Sequence, residues 1–374
     1  MRIGLVTGEY PPLKGGISNH VAVLAKYFTQ HGHTTFIFSN NLTQQQQRDI
    51  PLTNTVSKWG YTANRLVNEW AIKNQLDIVN LHFQTAAYDM SPWVHFMPHM
   101  IDVPYVTTFH DLRFPYLFPK AGKLRDWIVM HLAKVSDGII ATNHEDYEHV
   151  KHLNAAMIPI GSSIGYVTDV DCKAIRQKLD FRNDDFILAH FGFINHSKGV
   201  DTLLHAIAQI NDTHLKLLLI GGRTGTADKT NQSYADTIDV LIDNLSLTEQ
   251  VHWTGFVTQE EVAMYLKAAD LVVLPFKDGA SFRRSSLMAA IEQACPIITT
   301  KPTVDIPEFS DGSVRLVSPV NVDKLAEAIQ LLRDNPQQVI SLREKIKELR
   351  NHFDWDVITQ KNLEFFRHII ETRV

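Results

Sequence analysis

Short apolar runs alternate with amphipathic stretches from the start of the chain. Residues 2–7 predict a strand, residues 17–30 carry apolar positions at helical spacing, and residues 35–38 predict a second strand. Alternation of strand and helix patterns is typical of parallel βαβ units. We therefore expect a doubly wound α/β domain in the first half of the chain.

The alternation continues through this domain and is interrupted by one polar stretch. Residues 40–55 read NNLTQQQQRDIPLTNT, which predicts a solvated loop. The other elements are predicted strands at 77–83, 105–109, 138–141 and 157–160 and predicted helices at 64–74, 123–135 and 144–152.

A second α/β series follows a segment without periodicity. The sequence GSSIGYVTDVD at 161–171 is rich in Gly and Ser and predicts a linker. Beyond it, Thr258 and Glu261 form a predicted capping box before the helix QEEVAMYLKAA. Strands are predicted at 186–191, 215–220, 251–253, 271–274, 297–300 and 314–317. The chain is therefore expected to contain two α/β domains.

Composition narrows the class of protein. The chain has 374 residues, of which 44% are hydrophobic and 21% charged, so it can bury two cores. A net charge of −5 argues against a nucleic-acid partner. Cys172 and Cys295 lie far apart without a CxxC motif, so no disulfide framework or thiolate metal site is predicted. Without an apolar stretch near the roughly 20 residues of a spanning helix, a cytoplasmic location is expected.

Two glycine-containing turns are candidates for binding anions. Gly15 and Gly16 precede the first helix, whose free N-terminal amides suit an anion, although a merely flexible turn has the same pattern. Within that helix, His20 is interpreted as a core or surface residue. In the second series, Lys198 and Gly199 open a helix after a strand, where a cation and the helix dipole together favour phosphate.

The order of these motifs resembles glycosyltransferase family four, a family of retaining enzymes with the GT-B fold. The resemblance rests on the Gly-Gly turn followed by TTFHD, IPIG, SKGVDTLLHA, TGFV, AADLVVLP, PIITT and FDWDVITQKNLEFF. It runs from the first residue to the C-terminal helix.

This resemblance implies an α/β fold of two facing Rossmann-like domains. Residues 1–163 would hold the acceptor, residues 164–350 the nucleotide-sugar donor, and the helix in 351–374 would cross back to the first domain. The donor is then a nucleoside diphosphate sugar, and no cofactor is expected. The acceptor could be a sugar, a lipid-linked compound or another small molecule.

Several family residues carry over by position. Gly15 and Gly16 match the family's turn near the donor phosphates, His110 in TTFHD matches a histidine near the transferred sugar, and Lys198 matches the pyrophosphate-binding lysine. From the residues alone, His110 could also simply cap a strand end. However, a His-Asp pair at the carboxyl end of a parallel strand lies where α/β sheets bind ligands.

The chain departs from the family pattern at two places. Phe193 and Ile194 stand where the family has an arginine, and Ser281 and Ala289 stand where it has two glutamates separated by seven residues.

The surrounding loop offers replacements for the lost phosphate contact. It brings Gly279, Ser281, Arg283 and Arg284 to the start of a helix that Ser285 or Ser286 is predicted to cap. Two arginines at a helix N-terminus can bind a diphosphate, although both could instead be solvated or paired with acids. We expect one of the two to be functional.

Two further residues are assigned to nucleotide binding. Glu292 could supply a carboxylate for the ribose, and Gly222 in GGRTG is interpreted as part of a turn beside the base. Asp169 and Asp171 in the linker are interpreted as solvated acids. His95 and His99 are separated by four positions, but Pro98 between them disrupts a helical face, so no metal site is predicted.

The sequence thus favours a retaining, metal-independent glycosyltransferase that moves a hexose-type sugar to an acceptor hydroxyl. Two alternatives remain at this point. A GT-B sugar-nucleotide epimerase would bind the same donor, and a degenerate transferase could act as a non-catalytic, sugar-nucleotide-binding partner of another subunit.

The sequence also suggests a peripheral contact with a membrane. An apolar segment with Phe114, Tyr116, Leu117 and Phe118 leads into a helix that carries Lys123, Arg125 and Lys134. Such a segment can rest on a lipid surface or hold an apolar acceptor, whereas ordinary packing over the first domain is the alternative. Flotation with anionic vesicles at low salt, where the electrostatic attraction is strongest, tests the membrane contact, which predicts that the protein floats with the vesicles. Failure to float at low salt would contradict the membrane contact.

Overall fold

The strands of the chain form two separate parallel sheets. The computed structural model describes residues 1–13, 15–112, 123–223 and 229–373, without the side chains of 123–126 and 229–232. The first unit comprises Met1–Ser163 and Phe353–Val374, and the second comprises Ile164–His352. The aromatic segment at 114–118 lies outside the described residues.

Seven described strands build the sheet of the first unit in the order β3-β2-β1-β4-β5-β6-β7, and all their pairings are parallel. Their bounds are β1 Arg2–Thr7, β2 Thr34–Asn40, β3 Leu52–Val56, β4 Ile78–Phe83, β5 Tyr105–Phe109, β6 Gly138–Ala141 and β7 Ala155–Met157. The helices are α1 Gly16–Gln30, α2 Tyr61–Lys73, α3 Lys123–Val135 and α4 His144–Val150, with 3₁₀ segments at Thr85–Tyr88 and Pro92–Met100.

Six described strands build the sheet of the second unit in the order β10-β9-β8-β11-β12-β13, again all parallel. They are β8 Phe186–Phe191, β9 Leu215–Ile220, β10 Val251–Trp253, β11 Leu271–Leu274, β12 Ile297–Thr300 and β13 Arg315–Val317. The helices are α5 Cys172–Lys178, α6 Val200–Ile210, α7 Lys229–Asn244, α8 Gln259–Ala268, α9 Ser285–Glu292, α10 Val322–Asp334 and α11 Pro336–Arg350. Shorter 3₁₀ segments are His196–Lys198, Pro307–Phe309 and Asn351–Phe353.

The last helix, α12 (Trp355–Thr372), packs into the core of the first unit. The ring centroids of Phe366 and Phe28 are 5.8 Å apart. Gly138 leaves room for Ile369, because a Cβ on Gly138 would lie 2.6 Å from the Ile369 side chain. The predicted return of the C-terminal helix to the first domain is therefore confirmed.

The structure corrects two predicted elements of the first unit. Part of the expected loop at 40–55 is the strand β3, whose Leu52 and Thr53 pair with β2 at the edge of the sheet. Because an edge strand can keep polar side chains in water, its composition looks like that of a loop. The last strand covers Ala155–Met157 rather than 157–160.

The two predicted helix caps in the second unit have different outcomes. The capping box of α8 is confirmed, since Thr258 and Glu261 each bond to the other's backbone amide. The prediction for α9 is wrong: Arg284 occupies the N-cap without a side-chain cap, and Ser285 and Ser286 lie within the helix. Asp171 is not merely solvated, because its carboxylate accepts from Ala174 N and caps α5.

None of the helices in the described part of the chain combines the length and the apolar character that crossing a membrane requires.

We expect Thr258→Ala to lower the free energy of unfolding by about 1 kcal/mol, because the helix loses its N-cap acceptor. Thermal melts should show a drop of about 2–4 °C if the second unit unfolds as a domain of its size. Thr248→Ala is the control, since the exposed Thr248 donates to the exposed Asp243 at 3.1 Å. Equal melting of the two variants would contradict a stabilising role for the capping box.

Candidate functional site

Three histidines meet at the carboxyl edge of the first sheet. His82 lies near the end of β4, His110 directly follows the neighbouring β5, and His20 comes from α1. The Nδ1 of His82 is 3.1 Å from the Nε2 of His110. The ring centroid of His20 lies 5.1 Å from that of His110 and 5.5 Å from that of His82.

These histidines are held in the neutral form. Burial lowers the pKa of His20 to about 4. Burial, together with neighbouring imidazoles, lowers the pKa values of His82 and His110 well below the ordinary value. Neutral imidazoles can donate or accept a hydrogen bond, and they add no positive charge at neutral pH.

The cluster joins one predicted residue to two that the sequence analysis missed. His110 lies at the strand end as predicted, whereas His20 is 7% exposed and contacts it. His82 could have been found from its position at the end of a predicted parallel strand. One potential ligand atom from each histidine lies within 4.8 Å of the others, close enough for the cluster to be tested as a metal site.

The glycine turn of the first unit opens α1 as predicted. Gly15 is the N-cap and Gly16 the first helical residue. A Cβ on Gly16 would meet nothing within 4 Å, whereas the space beside Gly15 is filled by the Glu9 carboxylate. Burial raises the pKa of Glu9. The helix N-terminus thus already has an internal acid beside Gly15 and remains open at Gly16.

In the second unit, Lys198 ends a 3₁₀ turn between β8 and α6. Its Nζ donates to the carbonyl of Phe191 at 3.3 Å. A Cβ on Gly192 would lie 2.1 Å from this Nζ, so the glycine lets the ammonium approach the strand end. Among the described residues, no carboxylate forms an ion pair with Lys198, which leaves its charge available to an anion.

Arg284 lies beside Lys198. Burial, together with the charge of Arg284, lowers the pKa of Lys198 to about 8. Arg284 donates from Nη1 to Ser197 Oγ at 3.2 Å and from Nη2 to both oxygens of Asp278. Its guanidinium also packs over the ring of Phe276, with Cζ 4.9 Å from the ring centroid. Arg284 is therefore fixed in place next to the lysine.

Arg283 is placed differently from Arg284. Its Nη2 is 3.8 Å from Asp278 Oδ2. Both arginines thus share one acid, as the alternative interpretation expected, but Arg284 is the one whose charge affects Lys198. Gly279 follows Asp278 with φ +89, and a Cβ there would approach the carbonyl of Lys301 to 2.8 Å. The sequence analysis missed Asp278 and Ser197.

The two positions of the lost glutamates are buried, at 3% exposure for Ser281 and 1% for Ala289. Glu292 does not join the cations of the loop. It ends α9, roughly 12 Å along the helix axis from Arg284, and pairs with Arg350 Nη2 at 3.1 Å. The assignment of Glu292 to the ribose stays a prediction, and such a contact would have to compete with this ion pair.

Two exposed aromatic residues lie beside Gly222. The ring centroids of Phe193 and Phe256 are 5.9 Å apart, and a Cβ on Gly222 would contact both rings. Phe193 thus replaces the family's arginine with an apolar surface. Residues 224 and 225 of the GGRTG turn lie outside the described residues.

Two family descriptions match the chain on either side of the boundary between the units. The one described as Glycosyltransferase Family 4 matches residues 14–160, and Glycosyl transferases group 1 matches residues 171–350. The chain belongs to glycosyltransferase family four.

Curated relatives of this family-four chain differ in length. An alpha-monoglucosyldiacylglycerol synthase of Streptococcus pneumoniae is 24% identical over 73% of this chain and 65% of its own. A D-inositol 3-phosphate glycosyltransferase of Catenulispora acidiphila is 26% identical over 66% of this chain and 58% of its own. The chain therefore spans less than two thirds of these two relatives. An uncharacterized glycosyltransferase of Methanocaldococcus jannaschii is 19% identical over 99% of both chains.

Solved structures share the fold of this family-four chain. Anabaena HepE in complex with UDP has a TM-score of 0.79 at 18% identity, covering 97% of this chain and 99% of its own. Sucrose-phosphate synthase of Thermosynechococcus elongatus has a TM-score of 0.75 at 18% identity, covering 99% of both chains. The predicted GT-B fold is confirmed.

The stability of the first unit is expected to fall at acidic pH. Burial lowers the pKa of His20 to about 4, against about 6.5 in an unfolded chain. The unfolded chain therefore binds the proton first. Stability present above about pH 6.5 is lost as the pH falls toward about 4, by up to about 1.4 kcal/mol per pH unit.

Thermal melts across this pH range test the expectation. His20→Phe should reduce the dependence of stability on pH, while the exposed His205 provides a control in His205→Asn. An unchanged pH dependence in His20→Phe would show that His20 is not buried in the neutral form.

Proposed function

We propose that this chain transfers a sugar from a nucleoside diphosphate donor to an acceptor hydroxyl, with retention at the anomeric carbon and without a resident metal ion. The observation that carries the proposal is the placement of Lys198 beside Arg284 at the carboxyl edge of the second sheet. This is the edge at which open parallel sheets bind ligands.

The charges of the second unit fit a departing diphosphate. Lys198 has no carboxylate partner among the described residues. Burial and, to a smaller extent, the charge of Arg284 lower its pKa to about 8, so the ammonium remains mostly protonated at neutral pH. An anion that gains charge as the sugar bond breaks would relieve the repulsion between these two cations. Such preorganised charge stabilises the transition state more than the ground state.

The reaction also needs a group that accepts the proton of the acceptor hydroxyl. Ser281 and Ala289 replace the family's glutamates, and neither carries a carboxylate. We assign the acceptor proton to a phosphate oxygen of the donor. The neutral His110 would donate a hydrogen bond to a sugar hydroxyl or accept one from it. His82 Nδ1, 3.1 Å from His110 Nε2, would fix the orientation of the His110 ring.

The nature of the relatives guides the choice of substrates. HepE binds UDP-glucose in a solved complex, and the pneumococcal relative is named as a glycolipid synthase. UDP-glucose is therefore the first donor to test, with diacylglycerol glycolipids and polyol phosphates as acceptors. Phe193 and Phe256 would then offer an apolar wall to the uracil base.

A panel of nucleotide sugars with and without acceptors tests the function. Glycoside formation, with the donor's anomeric configuration kept in the NMR spectrum and full activity in EDTA, supports the proposal. An isomerised donor without transfer would instead indicate an epimerase. Donor binding without turnover would indicate a non-catalytic partner, and loss of activity in EDTA would overturn the metal-independent reaction.

We expect Arg284→Ala to reduce kcat/KM by the equivalent of about 2–4 kcal/mol, the scale of a lost transition-state stabiliser. Arg283→Ala should have a much smaller effect, because it is the charge of Arg284 that contributes to the lowered pKa of Lys198. Matched thermal melts show whether the effect is on turnover rather than folding. Full activity in the double variant would remove both arginines from the reaction and leave Lys198 as the cation.

A further inference from the structure

A cavity of about 350 Å³ lies in the second unit. We name it the connector cavity and define it by Tyr166, Cys172, Lys267, Cys295, Arg343 and Lys347. One wall is the C-terminal end of α8, which precedes β11. Another wall is formed by the residues between α9 and β12. The cavity therefore lies at the amino edge of the sheet, opposite the edge that holds Lys198 and Arg284.

The cavity is cationic although the whole chain has a net charge of −5. Lys267, Arg343 and Lys347 line it, with Asp169 as the one acidic lining residue in the part of the chain that the structure describes. Arg343 and Lys347 are four residues apart on α11, a spacing at which like charges repel. Lys347 is paired with Glu344 at 2.7 Å, whereas Arg343 forms no ion pair among the described residues.

Residues 166–170 form one wall of the cavity, and contacts within the protein hold this wall in place. Gln293, which is 1% exposed, accepts from Val167 N at 3.2 Å and donates to Gly165 O at 2.8 Å. The ring of Tyr166 contacts two cations, with Lys267 Nζ at 4.0 Å and Arg350 Cζ at 3.9 Å from its centroid. A ligand would therefore meet a largely preformed surface.

The thiol of Cys295 adds no negative charge to the cavity. Cys295 is buried and donates to Leu266 O, and burial raises the pKa of its thiol to about 12. Cys172 donates to Lys267 O at 3.6 Å and is partly exposed. The side chain of Cys172 can thus be used as a reporter of whether the cavity is occupied.

Size and chemistry together define the ligand. At roughly 30 Å³ per water, the cavity holds about a dozen waters, too many for a single small ion and within the range of small-molecule sites. The cations suit a phosphate group, and the Asp169 carboxylate can accept from hydroxyls. Because cations already lie against Tyr166, stacking of a nucleotide base is disfavoured.

We propose that the connector cavity binds a small phosphorylated polyol of the size of a hexose monophosphate. The binding site is separate from the proposed donor site, so it does not depend on whether the chain transfers sugar. The bound ligand would contact residues 166–170, α8 and α11 together. Residues 166–170 lie shortly after the boundary between the units at Ser163 and Ile164.

Calorimetric titration with glucose 6-phosphate tests the proposal, with glucose as the uncharged probe and sodium sulfate at matched ionic strength as the salt control. We expect saturable binding of glucose 6-phosphate alone. The double variant Arg343→Gln/Lys347→Gln should bind at least tenfold more weakly. Lys324→Gln is the matched control, since Lys324 makes the same type of pair with Glu327 at 2.7 Å outside the cavity.

The location is tested by the rate at which a thiol reagent modifies Cys172. Glucose 6-phosphate should slow this reaction in the wild-type protein and in Lys198→Ala, but not in the double variant. Equal effects of sulfate or glucose, no protection of Cys172, or wild-type affinity in a double variant that melts normally would each overturn the proposal. Loss of binding in Lys198→Ala would place the ligand at the donor site instead.

Discussion

Parallel pairing of the strands is the constraint on which both candidate sites depend. Because every strand in each sheet runs the same way, side chains far apart in sequence come to the same edge. In the first unit this brings His82 and His110 within 3.1 Å. In the second, the turn after β8 carries Lys198, and the loop after β11 leads to Arg284. The same constraint leaves the amino edge of the second sheet to the connector cavity.

The candidate site residues of the two units differ in charge. In the first unit, burial lowers the pKa values of three imidazoles, so they offer hydrogen-bonding groups without adding positive charge. In the second unit, two cations remain close together because Asp278 and Ser197 fix Arg284 while Lys198 bonds to a carbonyl. The repulsion between the cations is a cost in the free protein that binding of an anion would remove.

The replacement of family residues follows from local chemistry. Where other members have carboxylates, this chain has the buried Ser281 and Ala289, and the neighbouring loop supplies Asp278, Arg283 and Arg284 instead. Phe193 replaces an arginine with an exposed ring beside Phe256. The position that lacks the arginine and the loop that carries the two arginines therefore lie at the same edge of the sheet, as the proposed compensation of one phosphate contact by another requires.

The sequence alone determined the elements and the family, because strand and helix periodicity and the motif order are local properties. Most strands of the second unit, the capping box at Thr258 and the positions of His110 and Lys198 follow from it. Tertiary structure alone decided which side chains meet. His20 and His82 contact His110. Asp278 binds Arg284 beside Lys198. Glu292, at the other end of the same helix, pairs with Arg350. Hydrophobic patterns specify which face of an element is buried, but contacts between polar side chains depend on the register and packing of distant segments.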